Sequence, residues 1–310
     1  MAQAAGKTSA GARGPQAAGG DVPGAESGTE LLARLEGRSS LKEIDPTLFA
    51  AEDSQDHGAV VELHGPEGAG KTELLYRVTA RCLLPREAGG LGAEALFLDA
   101  DGHFDLLRLV AVLERGGAEE LVRGCLGRLW VLRCASSAQL LLTLHALPAL
   151  LCRRPALGLL ALDGLSAFYW LDRAGGGESA RLQEAPLRQC VQLLQRLAAA
   201  HRLQLFVTTQ SLLQPRPPPA AGDPGHRPYL CQAWRRAVTH RLLLSRHGDG
   251  DGDAGPRFSV LVRHLRSGAS RRLAFTVGDG GLQFCGQDVR TPPAGQCRVD
   301  AVQPEPSGRP

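Results

Sequence analysis

Lysine is almost missing from this chain: of 35 basic residues only Lys7, Lys42 and Lys71 are lysines, and arginine serves everywhere else. Long apolar runs are missing too. None approaches the ~20 residues that a membrane-spanning helix needs, and the Ala/Gly-rich N-terminus has no apolar core of the signal-peptide kind. Both absences predict a soluble chain that is neither membrane-embedded nor exported. The eight cysteines form no Cys-x-x-Cys pair and do not cluster with histidine, which argues against a zinc site and for reduced thiols inside the cell. A formal charge of +3 is too mild to argue for nucleic-acid binding by itself. No Asn-Lys-x-Asp base-reading motif occurs, which disfavours a GTPase.

What remains is a chain of 310 residues, 43% apolar, able to bury one α/β domain of about 250 residues once low-complexity ends are set aside. Residues 1–25 and 286–310 are poor in large apolar groups and are expected to be disordered tails. Residues 26–58 form a pre-core segment with Leu31, Leu32 and Leu35 at helical spacing, and 59–285 form the core. Strands are expected at Val60 to His64, Ala95 to Asp99, Leu129 to Cys134, Gly158 to Asp163, Leu203 to Thr209 and Thr239 to Ser245. Helical patterns follow the glycine loop and cover 104–114, 138–152 and 186–200. This alternation predicts a mostly parallel, doubly wound sheet. Phe258 to His264, Arg272 to Val277 and Leu282 to Cys285, separated only by short turns, predict an antiparallel extension. The segment 211–228 is too rich in proline to pair in a sheet or continue a helix and reads as a long loop.

Gly65-Pro66-Glu67-Gly68-Ala69-Gly70-Lys71-Thr72 fits the GxxxxGK[ST] pattern at every fixed position, between an apolar strand and a helix. Glycines allow backbone N–H groups to turn inward around phosphates. In that arrangement the Lys71 ammonium bridges the β and γ oxygens, a job the wide guanidinium fork cannot do, and the Thr72 hydroxyl faces Mg²⁺ at the helix N-terminus. Leu159-Leu160-Ala161-Leu162-Asp163 delivers a carboxylate at the end of a buried strand, where a Walker B aspartate would hold Mg²⁺. Between them, Leu98-Asp99-Ala100-Asp101-Gly102-His103-Phe104 runs into acidic residues before a helix. Asp101 is the candidate general base for an attacking water; equally, Asp99 and Asp101 read as a helix cap and a solvated turn. Thr208-Thr209-Gln210 ends the next strand, and Gln210 is either a sensor of the γ-phosphate or simply a polar strand end.

This order of P-loop, acidic strand, LLALD and LFVTTQ followed by a long loop resembles the RecA-like recombinase paralogue family, over about Glu26 to Cys285. The resemblance implies a RecA-like core in which Lys71, Thr72 and Asp163 bind Mg-ATP, Asp101 stands at the catalytic glutamate position and Gln210 senses the γ-phosphate. It further implies a DNA-contacting loop at 211–228, other recombinase paralogues as partners in a hetero-oligomer, single-stranded or branched DNA as a ligand, and a nuclear protein with some cytoplasmic pool. Asp101 is one methylene shorter than the family's glutamate, and the loop after Gln210 is almost free of the aromatics that stack bases. Residues 1–58 leave no room for the helical N-terminal domain of many members, which implies an end subunit of an assembly. Leu31, Leu32, Leu35 and Phe49 are the expected part of its partner-facing surface, and Arg263, His264, Arg266, Arg271 and Arg272 are expected on a charged hairpin, either solvated or touching phosphates. A stand-alone, weak DNA-dependent ATPase is the competing reading. A small-molecule P-loop kinase is a more distant one, because 211–228 supplies only Arg216 and Arg227 as lid arginines.

Overall fold

A computed structural model describes residues 39–50, 58–175, 179–210, 230–247 and 257–289, with the isolated positions Gly28 and Leu32. Among these residues nine strands form one mixed sheet in the order β3-β2-β4-β5-β1-β6-β7-β8-β9. They are β1 (Val60–Gly65), β2 (Glu94–Asp99), β3 (Leu129–Arg133), β4 (Leu157–Asp163), β5 (Gln204–Gln210), β6 (His240–His247), β7 (Arg257–His264), β8 (Ser270–Gly278) and β9 (Gly281–Val289). The first six pair in parallel. From β6 to β9 the pairing is antiparallel. The expected doubly wound sheet with an antiparallel extension is therefore the fold found.

Side chains alternate across the pleat, so each central strand feeds two cores. Val61, Leu63, Ala95, Phe97, Leu159, Ala161 and Phe206 join one cluster with helices α1 (Leu41–Ile44), α2 (Lys71–Leu83), α3 (Leu106–Glu114) and α4 (Glu119–Leu126). Val60, Leu96, Leu98, Leu160, Leu162, Leu205 and Val207 join the other, against α5 (Ser137–Arg153), α6 (Tyr169–Gly175), α8 (Ala185–His201) and α9 (Gln232–Ala237). The four-residue helix α7 (Ala180–Gln183) precedes α8. These strands are apolar on both faces because helices cover both.

The structure departs from the sequence expectations in three places. Phe49, expected on a partner-facing surface, is buried, with its ring edge-on to Phe206 (6.1 Å) and to His240 (5.9 Å). The segment around it is a strap on the core. Ser40 and Glu43 form a reciprocal capping box that starts α1, buried Asp45 pairs with Arg77 of α2 (2.7 Å), and Arg271 donates to the Thr47 carbonyl. Leu32 is 55% exposed, while Leu31 and Leu35 lie outside the described residues. Strand β9 runs to Val289, past Cys285 where the core was expected to end. The 104–114 helix is followed by a second, α4, after the Gly116-Gly117 break. Residues 1–25, 211–228 and 290–310 lie outside the described residues.

Candidate functional site: the P-loop and its carboxylates

Strand β1 ends at Gly65, which pairs with Gln210 at the end of β5. Parallel strands deliver their C-terminal ends to one edge of the sheet, so the loop, Gln210 and the aspartates of β2 and β4 converge there. Gly68 (φ 69°) and Gly70 (φ 86°) take the left-handed conformation that a side chain would strain. Gly70 caps α2, and Lys71 and Thr72 open that helix, whose unpaired N–H groups face the loop. The Lys71 ammonium folds back and donates to the Pro66 carbonyl at 2.8 Å. Burial lowers its pKa, opposed by the charges of Asp163, Asp101 and Glu67.

Asp163 is buried and held by two hydroxyls: Thr72 Oγ1 donates to Oδ2 at 3.0 Å, and Thr208 Oγ1 donates to Oδ1. Burial raises its pKa, and those two hydrogen bonds work against the shift. A hydroxyl and a carboxylate side by side are hard oxygen donors of the kind Mg²⁺ accepts through one carboxylate, substrate phosphates and water. The lysine and free helix N–H groups alongside suit the phosphates, so the residues fit a magnesium nucleotide.

Three acids at the end of β2 and in the stretch that follows separate into different environments. Asp99 is buried and committed: its carboxylate accepts from the N–H groups of Gly102 (2.7 Å), His103 (3.2 Å) and Phe104 (3.3 Å), and Arg133 lies 3.3 Å away. Asp105 caps α3, accepting from Leu107 and Arg108. Asp101 is exposed and leans on Gly164, at φ 90°; a Cβ there would lie 2.8 Å from the Asp101 Cγ. Its charge bears on both Lys71 and Asp163. Gln210, half-buried, donates its backbone N–H to Ser166 Oγ at 3.1 Å. Pro66, Glu67 and Ala69 form the body of the loop, closed by a 3.4 Å bond from the Ala69 N–H to the Pro66 carbonyl.

Sequence reasoning passed over Glu62. Buried within β1, its carboxylate accepts from Trp234 Nε1 (2.7 Å) and Thr209 Oγ1 (3.0 Å), and it pairs with Arg241. His64 Nδ1 joins through Thr209 at 2.8 Å. The signal was available, because an acid inside the apolar run Val60-Val61-Glu62-Leu63 must find a cationic partner. Of the basic residues expected on the hairpin, Arg271 turns inward to Thr47 and His264 stacks on His240 (4.6 Å), whereas Arg266 and Arg272 are exposed.

A mostly parallel sheet with a P-loop at the end of its central strand β1, and a hydroxyl-held aspartate at the end of β4, the next strand but one, defines a RecA-like core. The Rad51 family matches over residues 38–254, and the chain belongs to it. The chain is 54% identical over 278 residues to the DNA repair protein XRCC2 of Mus musculus, covering 86% of this chain and 99% of that relative. It is 28% identical over 276 residues to the DNA repair and recombination protein RadA of Methanocorpusculum labreanum (83% and 80% covered). With the DNA repair protein RAD51 homolog 1 of Arabidopsis thaliana the identity is 30% over 210 residues (66% and 58% covered).

Proposed function

We propose that this protein is an accessory subunit of a recombinase-paralogue hetero-oligomer in homologous recombination repair, acting in the nucleus with some cytoplasmic pool. The observation that carries this reading is the 54% identity along 99% of the length of a DNA repair relative. Within the assembly it binds Mg-ATP and assists recombinase loading on single-stranded DNA at double-strand breaks and stalled forks. Gly65 to Thr72 and Asp163 form the nucleotide site, with Thr72 and Asp163 directed at the metal and Lys71 at the phosphates. The bonded pair Thr72–Asp163 supports this assignment. When bound, magnesium supplies charge neutralisation at the phosphate oxygens.

Asp101 and Gln210 are proposed for hydrolysis and γ-phosphate sensing. The influence of Asp101 on Lys71 and Asp163, and the pairing of Gln210 with Gly65, support their placement. The same position of Asp101 favours the second reading, a weak DNA-dependent ATPase that works alone. Lys71→Ala separates the two. An accessory subunit keeps its partners and its repair activity in cells lacking the native protein, while an ATPase loses repair. Ordinary enzyme turnover of ATP by the isolated chain in response to DNA eliminates the accessory reading.

A further inference from the structure

Both fixed glycines of the P-loop rest on C-terminal strands, β6 and β8, that arrive much later in the chain. A Cβ at Gly65 would lie 2.5 Å from the Leu244 carbonyl oxygen in β6. One at Gly70 would lie 3.2 and 3.3 Å from two ring atoms of Phe275 in β8, with Phe258 next at 3.9 Å. Phe275 is fully buried and stacked on Phe258 (centroids 5.3 Å apart, planes at 13°), with Phe284 edge-on at 6.2 Å. The ring under Gly70 is therefore backed on two sides. Strand β8 is fixed a second time at its far end. Arg108 donates to the carbonyls of Gly278 and Asp279 (2.7 Å each) and forms a two-point pair with Glu73, the residue after Thr72.

We infer that Phe275 is a positioning residue for the nucleotide site: its ring fixes Gly70 in the left-handed conformation that starts α2, and so sets how the loop and first helical N–H groups meet phosphate. Phosphate binding by backbone N–H groups depends on loop geometry rather than on any one side chain. Preorganised sites of this kind lose affinity when the supporting contact is loosened by a fraction of an ångström. The inference rests on the proposal that this site binds Mg-ATP.

The test compares two substitutions on one strand in the full-length chain, using a fluorescent ATP analogue with Mg²⁺ and, separately, thermal unfolding. Phe275→Leu removes the ring from beneath Gly70. Leu273→Ala cuts a buried side chain on the same face of β8 that is not among the atoms nearest Gly70. Phe275→Leu is expected to raise the dissociation constant tenfold or more, and Leu273→Ala to leave it within twofold while lowering the melting temperature at least as much. Equal changes in affinity, or an unchanged affinity in Phe275→Leu, overturn the inference and leave the nucleotide reading standing. No binding by the unsubstituted chain overturns both. If Phe275→Leu does not fold, Phe258→Leu loosens the ring from behind; a rise of about threefold is then expected, and no rise overturns the inference.

Discussion

Strands β2 and β4 lie side by side, and each ends in a buried aspartate, Asp99 opposite Asp163 in the register. The two carboxylates share a depth, a strand end and a sheet edge, yet their partners differ in kind. Asp99 is taken up by three backbone N–H groups and a guanidinium, all supplied by the fold itself. Asp163 is held by two hydroxyls, which can rotate to offer an oxygen to an incoming ligand. A strand-end aspartate becomes a site when its partners can exchange, and a structural cap when they cannot.

The largest expected break in this comparison is Asp99→Ala. It strands three turn N–H groups around a buried position, and unfolding in urea should show a loss of about 2–4 kcal/mol. Asp163→Asn should do the reverse, because it relieves a desolvated charge and keeps a hydrogen-bonding side chain. Its folding stability should stay within about 1 kcal/mol of the parent, while Mg²⁺-dependent binding of an ATP analogue falls at least about tenfold. A similar loss of stability in the two variants would erase the distinction.

A pH series sharpens it further. The folded-state pKa of Asp163 is raised by burial above its ordinary 3.8, so between these two values the folded chain binds the extra proton and the unfolded chain does not. Stability relative to Asp163→Asn therefore falls as pH rises from 3.8 through the raised value, and the penalty is complete above it. Metal-dependent binding follows the opposite course and grows as the carboxylate ionises. The smallest expected effect is Arg133→Gln, which removes the 69%-exposed partner of Asp99. Solvent screening should hold its cost below about 1 kcal/mol in the same urea titration.

The P-loop was legible because its chemistry is local: eight consecutive residues between an apolar strand and a helix carry their own geometry. The roles of Asp99, Asp101 and Asp105 were not legible in the same way. They fall within seven residues, and what separates them is the path of one turn, which decides whose carboxylate meets which N–H. Phe49 looked spare because its partners Phe206 and His240 come more than 150 residues later. Glu62 carried a warning in its own strand, but Arg241 could not be picked out among so many arginines, and nothing local marks Trp234; the two lie 179 and 172 residues on.

The strap of residues 39–50 has a consequence in time. Its backbone carbonyls at Ser39 and Thr47 accept from Gln204 and Arg271, 165 and 224 residues downstream. At a synthesis rate of about 5–20 residues per second, Thr47 is made roughly 10–45 s before Arg271. Strand β1 waits in the same way for both of its neighbours, β5 and β6. A segment made early is thus among the last to be seated, and through that interval the apolar edges of β1 need shelter from other chains.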